Sequence, residues 1–599
     1  MLYRSTRCLT IAALLSLLAS TIACGDSVED QSFPPVILDA GTAEQVAVAT
    51  GGGAGKRTPL GVGVGEAEQT GAENRRALLT ILEGSVSRDE RQPYSAELVR
   101  TVDAELYRDI DDETKGPKQW ITRASVLDKN GDVLWSDRIN SFFQLLEYLK
   151  TILDQTASVD FSLFQVYGFA DSEYPELLDF AVQVPIGIEG AHEYVLEVPD
   201  TEGNYYEVAR FKIDKLVEEA EPPRFEAEVE PLVESGPSAD RIDVAILGDG
   251  YTKDQKMEFM ADARAIADEF ALTQPFRQHM HLFNFHAVWT PSKESGAGYD
   301  CRSERDTDCK RGFRDTVYNY VFVVSALIDK LDLDFPSASS RVAMPLEVSK
   351  MFEIAALAKY DEILLVSNTD RRSGFAGMYA GVLTAFDERD SFPDVAVHEF
   401  GHSFGVLGDE YFIESDPCLD NSPRIPLPAN ISKYADRDKL KWSAWVADET
   451  SLPTPAEERG EDLIGAFERA YNCKELYRPN YRCKMRSSSG EFCSVCSEQL
   501  VRRLYNDVDL LRAGFPRIER EENGALTIAS GVRRDGRLVE TTWRLDGKKL
   551  SDATTLKLGS GDVPSRWTKL VLEADESSTF VRKDDPRLTE THQWWVRTR

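Results

Sequence analysis

His398-Glu399-Phe400-Gly401-His402 is the group of residues in this sequence best suited to chemistry. Residues four apart share a helix face, so His398 and His402 can present two imidazoles to one divalent ion. Glu399 falls on the adjoining flank, where a carboxylate can take a proton from metal-activated water. Zinc suits this order of residues because it brings the pKa of bound water down to about 7. The residues just upstream favour a helix start: Ser391 can cap, Pro393 suits the first turn, and Asp394 complements the positive end of the dipole. The bland alternative is a pair of satisfied core histidines.

A hydrolytic zinc site takes a third protein ligand and keeps one position open. Gly405 lets the helix end in a tight turn, beyond which a ligand can swing back to the ion. The arrangement resembles that of the metzincins, which carry a His or Asp at the third position after that glycine. Gly408 stands there in this chain and Asp409 follows it. Asp409 is therefore the first candidate for third ligand and Glu410 the second, with a helix-end salt bridge left for whichever is unused.

The full string from His398 to Tyr411 resembles the signature of the bacterial IgA-metallopeptidase family. Ile246-Leu247-Gly248-Asp249-Gly250-Tyr251-Thr252, Pro275-Phe276, Glu294-Ser295-Gly296 and Phe492-Cys493-Ser494-Val495-Cys496 agree with it. The resemblance spans residues 241 to 511. It implies a metzincin-like zinc endopeptidase with one catalytic ion and a protein or peptide substrate, and it leaves open whether immunoglobulin A is cut. It also implies a methionine in a tight turn beneath the metal, the role for which Met485 is the candidate. Tyr411 is expected to pack rather than to steady an oxyanion.

Around this centre the hydrophobic pattern divides the chain. Residues 75–216 alternate as short strands with turns, including a hairpin through Asp128-Lys129-Asn130-Gly131-Asp132, and read as an N-terminal β-rich domain with one helix at 142–153. The resemblance makes this the domain that accompanies such peptidases. That turn lacks the glutamate a calcium loop needs at its twelfth position, which is Ile139. Residues 217–240, rich in Glu and Pro, read as a linker. Residues 241–512 alternate strand and helix, as an α/β peptidase domain does, with strands at 241–247, 282–289 and 362–366. Gly374 to Gly381 could form an open strand that pairs with an extended substrate. Residues 513–599 return to strands and suggest an immunoglobulin-like β-sandwich, in which an exposed Trp594 or Trp595 would favour a binding module.

Arg4 and Arg7 before the apolar run Leu9–Ala23 have the layout of a signal peptide over residues 1–23. Its end resembles a bacterial lipoprotein signal with Cys24 as the acylated residue, and residues 24–74 form a Gly- and Ala-rich flexible linker. The expected location is extracytoplasmic, as an outer-membrane or cell-surface lipoprotein or a secreted protein, touching membrane only through that anchor. A formal net charge of -33 repels phosphate backbones, so nucleic acid is not an expected partner. Beyond Cys8 and Cys24, seven cysteines remain; Cys301 with Cys309 closes a small loop, and disulfides suit the compartment. A structural zinc on Cys473, Cys483, Cys493 and Cys496 is a lesser alternative. Two other functions compete with the peptidase: a non-catalytic surface adhesion lipoprotein, and a zinc amidase acting on cell-wall peptides.

Overall fold

The computed structural model describes residues 76–596, except 87–90, 109–119, 142, 144–178, 300–311, 323–342, 370–373, 378, 384–391, 413–417, 419–423, 461, 512–516, 521–524, 533–537, 560, 563–565 and 583–587. The signal peptide, the lipidation site, the Gly-rich linker, Ser391, the Cys301–Cys309 loop and all but Phe143 of the helix expected at 142–153 fall outside the described residues. The fold is mixed, built of several sheets and few helices.

The N-terminal strands are β1 (Arg76–Val86), β2 (Tyr94–Tyr107), β3 (Thr122–Leu127), β4 (Val133–Ile139), β5 (Asp179–Pro185), β6 (Glu193–Pro199) and β7 (Tyr205–Lys212). They form two antiparallel sheets, ordered β2-β1-β5 and β4-β3-β6-β7. The expected hairpin is the β3–β4 pair, and its turn is closed by Asp128, whose carboxylate accepts the backbone N–H groups of Asn130 and Asp132 at 2.7 and 2.9 Å. Alternation along β1 serves two cores at once. Leu78 and Leu82 face Trp135 and Tyr194, whereas Ala77, Leu79 and Ile81 join the core under the central sheet.

The central sheet uses β8 (Glu228–Val233), β9 (Ile242–Asp249), β10 (Phe283–Trp289), β13 (Glu362–Ser367), β14 (Gly374–Ala376) and β15 (Ala380–Leu383), while β11 (Val321–Phe322) and β12 (Ala343–Met344) pair separately. Its order is β14-β15-β13-β9-β10-β8. The four middle strands are parallel, and the two outer ones antiparallel to their neighbours. Every residue of β9 is buried, as a strand covered on both faces requires. Val244 and Ile246 meet the helix Lys256–Leu272 and the helix carrying the histidines, while Ala245 and Leu247 meet the other side. The stretch expected as a linker thus holds an edge strand: β8 hydrogen-bonds to β10, and its Glu and Pro residues are tolerated because an edge leaves one side of the strand unpaired.

Beyond the sheet come β16 (Phe467–Ala470), β17 (Cys473–Arg478) and the helix Ser494–Asp507, then β18 (Arg517–Arg520), β19 (Leu526–Ala529), β20 (Val539–Leu545), β21 (Lys548–Ser551), β22 (Thr555–Leu558), β23 (Thr568–Glu576) and β24 (Thr589–Val596). The last seven strands form two antiparallel sheets, β18-β19-β22 and β21-β20-β23-β24. Trp543 and Trp594 stack between them with ring centroids 6.1 Å apart, so Trp594 is core. Its neighbour Trp595 is 43% exposed. Trp594→Ala should lower stability by about 3–5 kcal/mol, and Trp595→Ala by no more than about 0.5 kcal/mol. Urea unfolding followed by circular dichroism measures both, and equal effects would contradict the packing.

Candidate metal centre

The helix Phe392–Ser403 carries the histidine motif. One side is fixed by aromatic packing, with Phe400 4.9 Å from Phe270 and 5.7 Å from Phe276 between ring centroids. Its first turn is fixed by charge, since the buried Lys484 ammonium reaches Asp394 at 3.0 Å. His398 and His402 then emerge on the opposite side, with rings 4.9 Å apart.

Backbone carbonyls orient both rings. His398 Nδ1 donates to Lys484 O at 2.8 Å and His402 Nδ1 to Leu407 O at 2.6 Å. With those protons committed, each Nε2 presents a lone pair, and the two Nε2 atoms lie 3.2 Å apart. Asp409 Oδ1 is 3.2 Å from both. Three electron-rich atoms in one such triangle repel unless a proton or a metal ion lies among them. Tetrahedral zinc with ligands at roughly 2.0–2.1 Å needs edges of about 3.3 Å, so the donor set fits that ion. Burial works against charge on His402, yet the Asp409 carboxylate outweighs it and lifts its pKa to about 9. Burial likewise opposes charge on Asp409, but the two imidazoles hold its carboxyl below the usual range.

The site helix ends at Ser403 and the turn through Gly405 delivers Asp409. The left-handed residue is Val406, at φ 51°, rather than Gly405. A β-branched residue strains there, and the turn is held by Val406 N–H to His402 O at 3.0 Å and Leu407 N–H to Gly401 O at 3.1 Å. Asn430 then clamps the next residue from both sides: its Oδ1 accepts Gly408 N–H and its Nδ2 donates to Gly408 O, each at 2.8 Å. A Cβ on Gly408 would stand 2.8 Å from Ile431 Cγ1, so the clamp closes only on glycine.

Glu399 is buried, and burial raises its carboxyl pKa, opposed by the nearby histidines and assisted by Asp409. It reaches over the first residue of β14, where a methyl group on Gly374 would overlap Glu399 Oε1. Met485 is fully buried under the site helix, its Sδ 2.8 Å from where a Cβ of Gly401 would stand. Its turn is closed by Arg486 N–H to Cys483 O at 2.9 Å. Tyr411 is half-buried. Glu410, the second candidate for third ligand, points away from the histidines: its Oε1 accepts from Asn430 Nδ2 at 3.0 Å and lies 3.2 Å from Cys496 Sγ. Cys473 is likewise not with the other cysteines, because it is disulfide-bonded to Cys418.

Residues 230–462 match the family model described as IgA Peptidase M64. This segment is similar to a peptidase family and supports a peptidase in this part of the chain. No curated protein matches the sequence. The matched segment includes His398, Glu399, His402 and Asp409 and stops before Lys484 and Met485, which the fold brings back beneath the site helix. Sequence reasoning missed Asn430, Lys484 and the contact of Gly374 with Glu399. Nothing in their local sequence marks them, since each acts on residues distant in the chain.

Asn430→Ala should weaken metal affinity by about 10–100-fold, the usual effect of losing a group that orients ligands. Competition with a chromophoric zinc chelator measures it. Unchanged affinity would mean that the Gly408 clamp does not position Asp409.

Proposed function

We propose that the chain is a zinc-dependent endopeptidase acting on proteins outside the cytoplasm, with His398, His402 and Asp409 as metal ligands and Glu399 as general base. The observation that carries this is the 3.2 Å triangle of two imidazole nitrogens and one carboxylate oxygen beside a buried glutamate. Zinc bound there supplies Lewis acidity, which brings water within reach of a carboxylate base near neutral pH.

The protein's own residues do the rest. Glu399 accepts the proton of the attacking water and returns it to the departing amine, and its raised pKa suits a group that must both take and give. Gly374 leaves room for that carboxylate. On the outer side of β15, β14 runs antiparallel at the end of the sheet and offers backbone groups to an extended peptide, so substrate is recognised chiefly through its main chain. Met485 supports the histidines from below. The parallel middle strands, the outer β14 and the ligand beyond a tight turn favour a metzincin-like domain, and the two C-terminal sheets an immunoglobulin-like sandwich. The N-terminal sequence favours export and lipid attachment at Cys24.

Glu399→Gln should lower kcat by about 10²–10⁴-fold with zinc content unchanged. Gly374→Ala should also lose activity and keep its metal, because it displaces the carboxylate and not the ligands. A peptide-library assay with metal analysis checks both, alongside chelation followed by zinc restoration in the wild type. Undiminished cleavage by Glu399→Gln would sink the mechanism, whereas zinc bound without cleavage by the wild type would favour the adhesion reading.

A further inference from the structure

Directly behind the histidine site, Glu410, Cys483, Cys493 and Cys496 converge in the interior, each buried, with their ligand atoms all within 4.8 Å of one another. We propose that these four residues form a second metal site, a structural zinc centre of three thiolates and one carboxylate.

The spacing is that of ligands around an ion. Cys483 Sγ and Cys496 Sγ lie 3.6 Å apart, and Cys496 Sγ lies 3.2 Å from Glu410 Oε1. Tetrahedral zinc with sulfur at about 2.3 Å and oxygen at about 2.0 Å needs edges of roughly 3.8 Å between sulfurs and 3.5 Å from sulfur to oxygen. Three thiols cannot all be consumed by one disulfide, and any pairing among them would leave the third against a buried carboxyl. Glu410 supplies an independent observation: its Oε2 is buried without a hydrogen-bond partner, and an orphaned carboxylate oxygen beside three sulfurs is satisfied by a cation.

Local structure serves the same end. Cys483 begins a tight turn, with Arg486 and Ser487 N–H groups on its carbonyl at 2.9 and 3.0 Å. Cys493 N–H points to Cys483 Sγ at 3.4 Å, the outer hydrogen bond that steadies a metal thiolate. Cys493 and Cys496 lie at the N-terminus of the helix Ser494–Asp507, whose dipole favours thiolate. Soft sulfur ligands with a single carboxylate select zinc over hard cations.

The proposed ion would brace the catalytic centre. Glu410 follows Asp409, and its N–H donates to Met485 O at 2.8 Å; Cys483 precedes Lys484, whose carbonyl holds His398. One ion on Glu410 and Cys483 therefore ties the Asp409 segment to the Met485 turn.

Metal analysis of the full chain, purified and dialysed against metal-free buffer, tests the proposal. The wild type should hold two zinc ions, H398A/H402A one, and C493S/C496S one. Because the cysteine variant risks misfolding, H398A/H402A should also be exchanged with cobalt(II), where three thiolates give strong near-ultraviolet sulfur-to-metal charge transfer. The His–His–Asp cluster has no sulfur and gives none, so this readout is separate from the fate of the catalytic reading. Peptide mapping should find Cys483, Cys493 and Cys496 all alkylated only after denaturation with chelator. H398A/H402A without metal, no charge-transfer band, or a disulfide between any two of these cysteines would overturn the proposal.

Discussion

The structure depends on keeping two imidazole nitrogens and a carboxylate oxygen within 3.2 Å of one another in a buried place. Unless a proton or a metal ion lies among them such atoms repel, so the surrounding elements must hold each of the three side chains from outside. The backbone does this for the histidines through the carbonyls of Lys484 and Leu407, which fix both ring rotation and tautomer. These two carbonyls come from different directions, one below the helix and one from the turn just after it. The helix is therefore pinned between a local constraint and a distant one.

The distant constraint explains why so much of the chain is needed. Lys484 ties the start of the site helix through Asp394 and one of its rings through its own carbonyl. Its ammonium also donates to Ser488 O at 2.8 Å, so the segment that supports the site is itself closed into a compact turn. Beyond it, the helix Ser494–Asp507 shares one hydrophobic core with the C-terminal sheets, including Leu504, Trp543 and Trp594. On the other side of the central sheet, Leu79 and Ile81 of β1 share a core with Leu247 and Leu365. The flanking sheets are thus part of the packing that holds β9 and β13, rather than appendages.

What the sequence made legible was local. The site helix and its paired histidines follow from a period of 3.6, the buried β9 from its near-continuous apolar run, and Asp409 was reachable because it lies just past the motif. The β3–β4 hairpin was legible from its Asp-Asn-Gly turn. What was hidden was set by pairing across the chain. The Glu- and Pro-rich residues 228–233 gain their strand only from β10. Cys473 could not be separated from the other cysteines by spacing, because its partner Cys418 lies 55 residues away. The turn after the site helix was legible from Gly405, but its left-handed residue is Val406, where the local bonds back to His402 and Gly401 close the helix.

The placement of Asp409 follows from the same geometry. The two adjacent carboxylates part, Asp409 to the imidazoles and Glu410 to Asn430 and Cys496. A ligand at position 408 would put a side chain where Pro428 and Ile431 close on the backbone, with Pro428 Cγ 3.0 Å from the Cβ position. Glycine there allows the Asn430 clamp just before Asp409. Asp409 then faces the imidazoles and Glu410 faces the sulfurs. The one-residue shift is thus what allows adjacent carboxylates to serve two different clusters, and replacing Gly408 would disturb both together.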